Sequence, residues 1–237
     1  FAPFFRDLSN VSIFEADVKG KHKGVQGLYK LSKELKLLNI EAVADLHNVL
    51  RSNILKLFFV GTPFIQIDKG RNEKKALVKG KKFEQLKTTH QRYADVFNKL
   101  GFKLSLSQPE FPEKVKLRSN VLDLIGKQIK PLIGIAPFAA FESKAYPLPL
   151  IEEVIKELSK KHKVLLFGGG KAETEILDQL EKKYNNTVNL AGKLSFNEEL
   201  DVISNLEVMI AMDSGNAHMA AMLGKKVITL WGVTHPF

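Results

Sequence analysis

Residues 208 to 236 confine what this chain can fold into more than any other stretch. Val208-Met209-Ile210-Ala211-Met212 is an apolar run of strand length, and Asp213-Ser214-Gly215-Asn216-Ala217-His218 turns polar at once. A small-residue helix follows to Leu223, then Gly224, a second apolar run Val227-Ile228-Thr229-Leu230, and a second polar turn through Thr234, His235 and Pro236. Strand, helix and strand in so short a span require a right-handed crossover and a parallel sheet. The polar turns then fall at the carboxyl ends of the strands, where open α/β sheets bind their ligands. The first turn also brings a carboxylate, a hydroxyl, a glycine and an imidazole to a helix start, a place that favours anions and phosphate in particular.

The same rhythm extends upstream. Strands are expected at 132–136, 164–167, 187–190, 208–212 and 227–230, with helices at 149–160, 171–184, 197–204 and 215–223. The first half alternates more weakly. Val11–Phe14 reads as a strand, Gly24–Leu38 as a helix, Ala42–Leu46 as a strand ending in His47-Asn48, and Ser52–Phe59 and Thr89–Leu100 as helices. Pro63, Gly70 and a lysine-rich run read as a long irregular insert. Residues 105–117, with Pro109 and Pro112, carry little periodicity. The expected organisation is an α/β domain over 1–110, a linker region over 111–131 and a second α/β domain over 132–237. The chain opens on Phe1 without an initiator Met and stops just after a polar turn, so both ends of the full protein are expected to lie beyond it.

Composition narrows the chemistry. With 44% hydrophobic and 26% charged residues the 237-residue chain can bury a core. It has no Cys, which excludes disulfides, thiolate metal sites and a cysteine nucleophile. No apolar run reaches the roughly 20 residues of a membrane-spanning helix, and no signal peptide is visible; a cytoplasmic protein is expected. The net charge of +10 is concentrated: between Lys69 and His90, eight Lys or Arg stand against two Glu, leaving +6. Lys74, Lys75, Lys79, Lys81 and Lys82 of this run suit a phosphorylated acceptor or an anionic membrane surface, if they are not simply a solvated loop. Few aromatics interleave with them, against a single-strand stacking platform.

Four polar clusters follow expected strands in the second half. Lys144 lies in the loop after 132–136, where a lysine can neutralise a diphosphate or serve as plain surface charge. Gly168-Gly169-Gly170 matches neither a dinucleotide fingerprint nor a P-loop. Glu173, just beyond, either complements a helix dipole or binds a ribose. Asn189-Leu190-Ala191-Gly192-Lys193-Leu194 precedes Ser195, a candidate helix cap. In the fourth cluster Asp213 serves as a cap or a ligand group, and His218 as a packing residue or a ligand group. Metal-ligand spacing and a nucleophile elbow are both missing.

In this order, Lys144-x-Tyr146-Pro147, Gly169-Gly170-x-x-Glu173, Ala191-Gly192-Lys193, Asp213-Ser214-Gly215-x-x-His218 and Trp231-Gly232-x-Thr234-x-Pro236 resemble the ADP-heptose:lipopolysaccharide heptosyltransferase family. The resemblance is strong over 132–236 and weaker but colinear over 1–105, through Asp45-Leu46-His47-Asn48, Arg51-Ser52 and the His90–Gly101 helix. It implies a GT-B fold, two Rossmann-like domains facing across a cleft, and inverting transfer of a heptose or similar sugar from an ADP-sugar donor to a phosphorylated glycolipid of the lipopolysaccharide core. It further implies Lys144 on the diphosphate as leaving-group stabiliser, Glu173 on the adenosine ribose and Leu194 against adenine. Asp213 would meet the heptose hydroxyls, with Ser214, Gly215 and His218 forming the phosphate site. Neither metal nor cofactor is implied beyond the donor, nor a nucleic-acid partner; peripheral contact with the cytoplasmic face of the inner membrane is. Ala139 and Ala140 depart from the family, which often carries hydroxyl residues there. The loop bearing the family's general base is expected upstream of Phe1. Two other readings remain: a GT-B sugar-nucleotide epimerase, and a non-catalytic nucleotide- or nucleic-acid-binding module.

Overall fold

The structure, a computed structural model, describes residues 2–81, 83–126 and 131–232. They form two compact units, one of residues 10–109 and the other of residues 2–9 with 110–232.

The first unit carries helices α1 (Gly24–Lys36), α2 (Leu50–Leu57), α3 (Arg71–Val78) and α4 (Thr89–Lys99) around parallel strands β1 (Val43–Asp45) and β2 (Phe64–Gln66). Amphipathic spacing places Leu28 and Leu31 of α1 and Ala94 and Val96 of α4 in its interior. Thr88 caps α4, its hydroxyl accepting from the Gln91 amide at 3.2 Å.

The second unit carries α5 (Ser119–Ile125), β3 (Leu132–Ala136), α6 (Leu148–Leu158), β4 (Lys163–Leu166), α7 (Lys171–Lys183), β5 (Thr187–Asn189), α8 (Phe196–Ser204), β6 (Val208–Met212), α9 (Gly215–Met222) and β7 (Lys226–Leu230). Its five strands are all parallel, in the order β5-β4-β3-β6-β7. Side chains alternate across the sheet. Ile133, Ile135, Val164, Leu166 and Met212 meet α6 and α7 on one face through Ile151, Ile155, Leu177 and Leu180. Leu132, Ala136, Leu165, Met209 and Ala211 meet α5, α8 and α9 on the other through Val121, Ile125, Val202, Ile203, Ala217 and Ala220. Strand order therefore reverses between β3 and β6, the switch point where such sheets open a crevice at their carboxyl ends.

Each element expected in the second half is present within a residue or two of its bounds. Four expectations elsewhere are corrected. Val11–Phe14 forms no strand: the run is exposed, and no strand among the described residues pairs with it. The supposed irregular insert contains β2 and α3, because Phe64–Gln66 completes a parallel pair with β1. The stretch expected as linker holds α5, too short to show a period but anchored in the core by Val121 and Ile125. Residues 2–9 fall with the second unit rather than the first. There Phe4 packs edge-on against Phe196, and the Arg6 guanidinium pairs with the buried Asp201 carboxylate.

Candidate functional site

Two loops converge at the switch point. The chain leaving β3 makes a short 3-10 turn over Glu142–Lys144, closed by the Lys144 amide donating to the Phe141 carbonyl at 2.9 Å. The chain leaving β6 reaches Asp213 directly. Lys144 Nζ donates to Asp213 Oδ2 at 2.6 Å, with both side chains largely withdrawn from solvent. Beside this pair the Tyr146 amide points at Met212 Sδ, 3.1 Å away. Gly232, past the end of β7, lies so close to the lysine loop that a Cβ there would stand 2.4 Å from the Ser143 carbonyl oxygen and 3.0 Å from Lys144 Cα. The glycine of the Trp-Gly motif thus packs its backbone directly against the lysine loop.

Ser214 is the N-cap of α9 in extended conformation, without a side-chain cap bond. Its buried Oγ has no hydrogen-bond partner, an unusual condition for a buried hydroxyl. Among the described residues, and apart from its chain neighbours and its own helix backbone, nothing lies within 4 Å of where a Gly215 Cβ would stand. His218 sits one turn in, 76% exposed, with Nε2 4.0 Å from Asp213 Oδ1. The carboxylate therefore stands between an ammonium and an imidazole, at a helix start able to take an anion.

Glu173 lies in the first turn of α7, and its Oε2 accepts from the Gly169 amide at 2.8 Å. Leu194 is half-buried against the core beneath α8. Ser195 caps α8 in a reciprocal capping box with Glu198. The hydrogen bonds from the Asn120 side chain and from the Ser195 hydroxyl and amide hold the Glu198 carboxyl down at about 2. The structure thus brings together Lys144, Asp213, Ser214, Gly215 and His218, and sets Glu173 and Leu194 beyond the neighbouring strands β4 and β5 of the same sheet edge. Thr234, His235 and Pro236 lie outside the described residues.

In the first unit, Lys74 and Lys75 lie on α3, Lys79 caps its carboxyl end, and Lys81 follows, all exposed; Lys82 lies outside the described residues. The residue that ties this basic segment to α4 is one that no sequence pattern singles out. Arg92 of α4, 5% exposed, pairs with Glu73, donates to the Asp68 carbonyl at 3.3 Å and to the Lys87 carbonyl at 3.1 Å. Its guanidinium thereby ties both ends of the lysine run to α4. Asp45, at the end of β1, accepts from the amides of His47 and Asn48 and from the Gln66 side chain. Burial raises its carboxyl, but the bonds from Gln66, Asn48, Ser52 and His47 outweigh it and leave the group below its ordinary value. It shapes the turn after β1 as an ionised acceptor.

Comparison with known proteins agrees with this geometry. The family model described as glycosyltransferase family 9 (heptosyltransferase) matches residues 28–237. A lipooligosaccharide heptosyltransferase 2 of Campylobacter jejuni is 30% identical over 142 residues, covering 58% of this chain and 44% of that protein. The chain spans less than half the length of the curated relatives it matches. Among solved structures, a family 9 glycosyl transferase from Veillonella parvula superposes over 99% of this chain and 71% of its own, at 17% identity and a TM-score of 0.75. The E. coli heptosyltransferase WaaC with ADP-2-deoxy-2-fluoro heptose does so over 94% and 70%, at 18% identity and a TM-score of 0.66. At these identities the likeness is one of fold, and the fold is the α/β GT-B class expected from the sequence. Since the family model spans all but the first 27 residues, this chain belongs to glycosyltransferase family 9, the heptosyltransferase family.

Proposed function

We propose that the protein is an inverting glycosyltransferase that moves a heptose or similar sugar from an ADP-sugar to an acceptor of the lipopolysaccharide-core type. The observation that carries this reading is the pairing of Lys144 with Asp213 beside the start of α9, at the switch point of a parallel sheet. In the reaction an acceptor hydroxyl gives its proton to a general base and attacks the anomeric carbon, the bond from that carbon to the diphosphate breaks, and charge accumulates on the departing β-phosphate. Lys144 and the α9 amides meet that charge; this is electrostatic stabilisation of a leaving group and needs no protein-bound metal or cofactor. Asp213 takes the sugar hydroxyls, as an ionised carboxylate accepting their protons in hydrogen bonds. Ser214 and His218 complete the phosphate site. Glu173, whose Oε2 is already held by Gly169, receives the ribose, and Leu194 packs against adenine.

The acceptor side falls to the first unit. Its exposed lysines on and after α3 suit a phosphorylated glycolipid, and the same cations suit peripheral contact with an anionic membrane face. Among the described residues no helix is long and apolar enough to cross a membrane. Calorimetric titration with ADP, UDP, GDP and ADP-heptose tests the donor assignment. ADP is expected to bind more tightly than UDP or GDP, and ADP-heptose more tightly still; binding of none of the four would overturn the reading.

A further inference from the structure

Asn189 is fully buried although it ends β5, an outer strand of the sheet. A buried amide on an edge strand has a task other than solvation, and its hydrogen bonds define that task. Its Nδ2 donates to Asp178 Oδ1 at 2.8 Å and to the Thr174 carbonyl at 3.4 Å, both on α7. Its Oδ1 accepts from the Ala191 amide at 2.9 Å, turning the chain just after the strand. The outward Asn189 amide, which no strand covers, donates to Glu181 Oε1 at 3.1 Å. The other oxygen of Glu181 accepts from Lys193 Nζ at 3.1 Å, and Lys193 also stands 3.8 Å from Asp178. Gly192 supplies the left-handed turn, φ +71°, that allows Lys193 to fold back.

The network joins one helix to one loop. The helix bears Glu173 in its first turn, immediately before Thr174, and the loop ends in Leu194. We propose that Asn189 and Lys193 are positioning residues for the nucleoside half of the donor: they lock residues 190–194 to α7 and so fix the spacing between the ribose carboxylate and the adenine-facing Leu194. The inference rests on the ADP-sugar reading. It assigns Lys193 away from the phosphates. Its ammonium is held between two carboxylates of α7, an arrangement that orients the loop rather than presenting a cation to a ligand. Nucleoside binding then depends on Lys193 through geometry, and small displacements of a binding group lose affinity steeply.

The test is calorimetric titration with ADP and with inorganic pyrophosphate of the wild type, Lys193→Met, Lys193→Arg and Asn189→Ala, with thermal unfolding of each. Lys193→Met is expected to weaken ADP about tenfold while leaving pyrophosphate within about twofold, with Lys193→Arg restoring most of the loss. Asn189→Ala follows the same pattern if it folds, and Lys193→Met decides the matter if it does not. Unchanged ADP affinity in Lys193→Met overturns the proposal, as does an equal loss of ADP and pyrophosphate, which marks Lys193 as a phosphate ligand. Failure of the wild type to bind ADP removes the donor reading itself and this inference with it.

Discussion

Lys144 Nζ and Asp213 Oδ2 lie 2.6 Å apart, although 69 residues separate them in the chain. Each stands just beyond one of the two strands, β3 and β6, that flank the reversal of strand order. Their opposed charges have opposite consequences for a donor. The ammonium attracts a diphosphate, whereas the carboxylate repels it and occupies the ammonium; on the proposed reading, the donor sugar is what draws the carboxylate away.

That opposition separates the two roles. Asp213→Asn is expected to bind ADP as tightly as the wild type or more tightly, because Lys144 loses a competitor. The same variant is expected to lose the additional affinity for ADP-heptose, by about ten- to a hundredfold, as the charge-assisted bonds to sugar hydroxyls disappear. Parallel titrations with the two ligands check this. An equal weakening of both would remove Asp213 from the sugar.

Gly232→Ala places a methyl carbon against the Ser143 carbonyl and the Lys144 backbone. The lysine loop must shift, so ADP affinity is expected to fall several-fold while urea unfolding changes by about 1 kcal/mol or less, since the glycine lies at the edge of the core. Comparable affinity in the variant would show that the motif glycine does not hold the loop.

Arg92→Met leaves the Asp68 and Lys87 carbonyls and Glu73 without their shared cation. Breaking a buried charge from its partners costs about 3 kcal/mol, moderated here because Glu73 is half exposed. The expected outcome is a destabilised first unit with faster limited proteolysis between Asp68 and Lys87. Unchanged cleavage would mean that α4 does not order the basic segment.

The Glu198 carboxyl is held at about 2 in the folded protein, against an ordinary value of 4.5, by Asn120 and Ser195. A depressed folded value contributes stability above the unfolded value and loses it as pH falls. The capping box should therefore support the fold at neutral pH and fade between about pH 4.5 and pH 2. Urea unfolding of the wild type and Glu198→Gln should differ at pH 7 and converge near pH 2. A difference independent of pH would assign the effect to packing.

The sequence made the second unit readable because its strands are continuous apolar runs separated by helices of ordinary length, so period and topology agree. The placement of the candidate site is readable for a related reason: Lys144, Asp213, Ser214 and Gly215 all follow a strand end, and position in the pattern already places them at one edge. The first unit was harder. β1 and β2 are three residues each, too short to alternate. The helical pattern of α3 is obscured by its lysines, and its anchor through Glu73 to Arg92 is a tertiary contact. Asn189 stood in the sequence as a single polar residue closing an apolar run. Its bonds to Asp178 and Ala191 depend on how α7 folds over the sheet edge, which spacing alone does not convey.

The proposed function turns on whether a nucleoside diphosphate is held by Lys144 beside the start of α9. Equilibrium titration of the wild type and Lys144→Met with ADP, at fixed ionic strength, tests it most directly. A saturable wild-type isotherm is expected, with a loss of at least about tenfold in the variant and unfolding changed by about 1 kcal/mol or less, as for a partly exposed ion pair. ADP binding of equal strength in both proteins would contradict it.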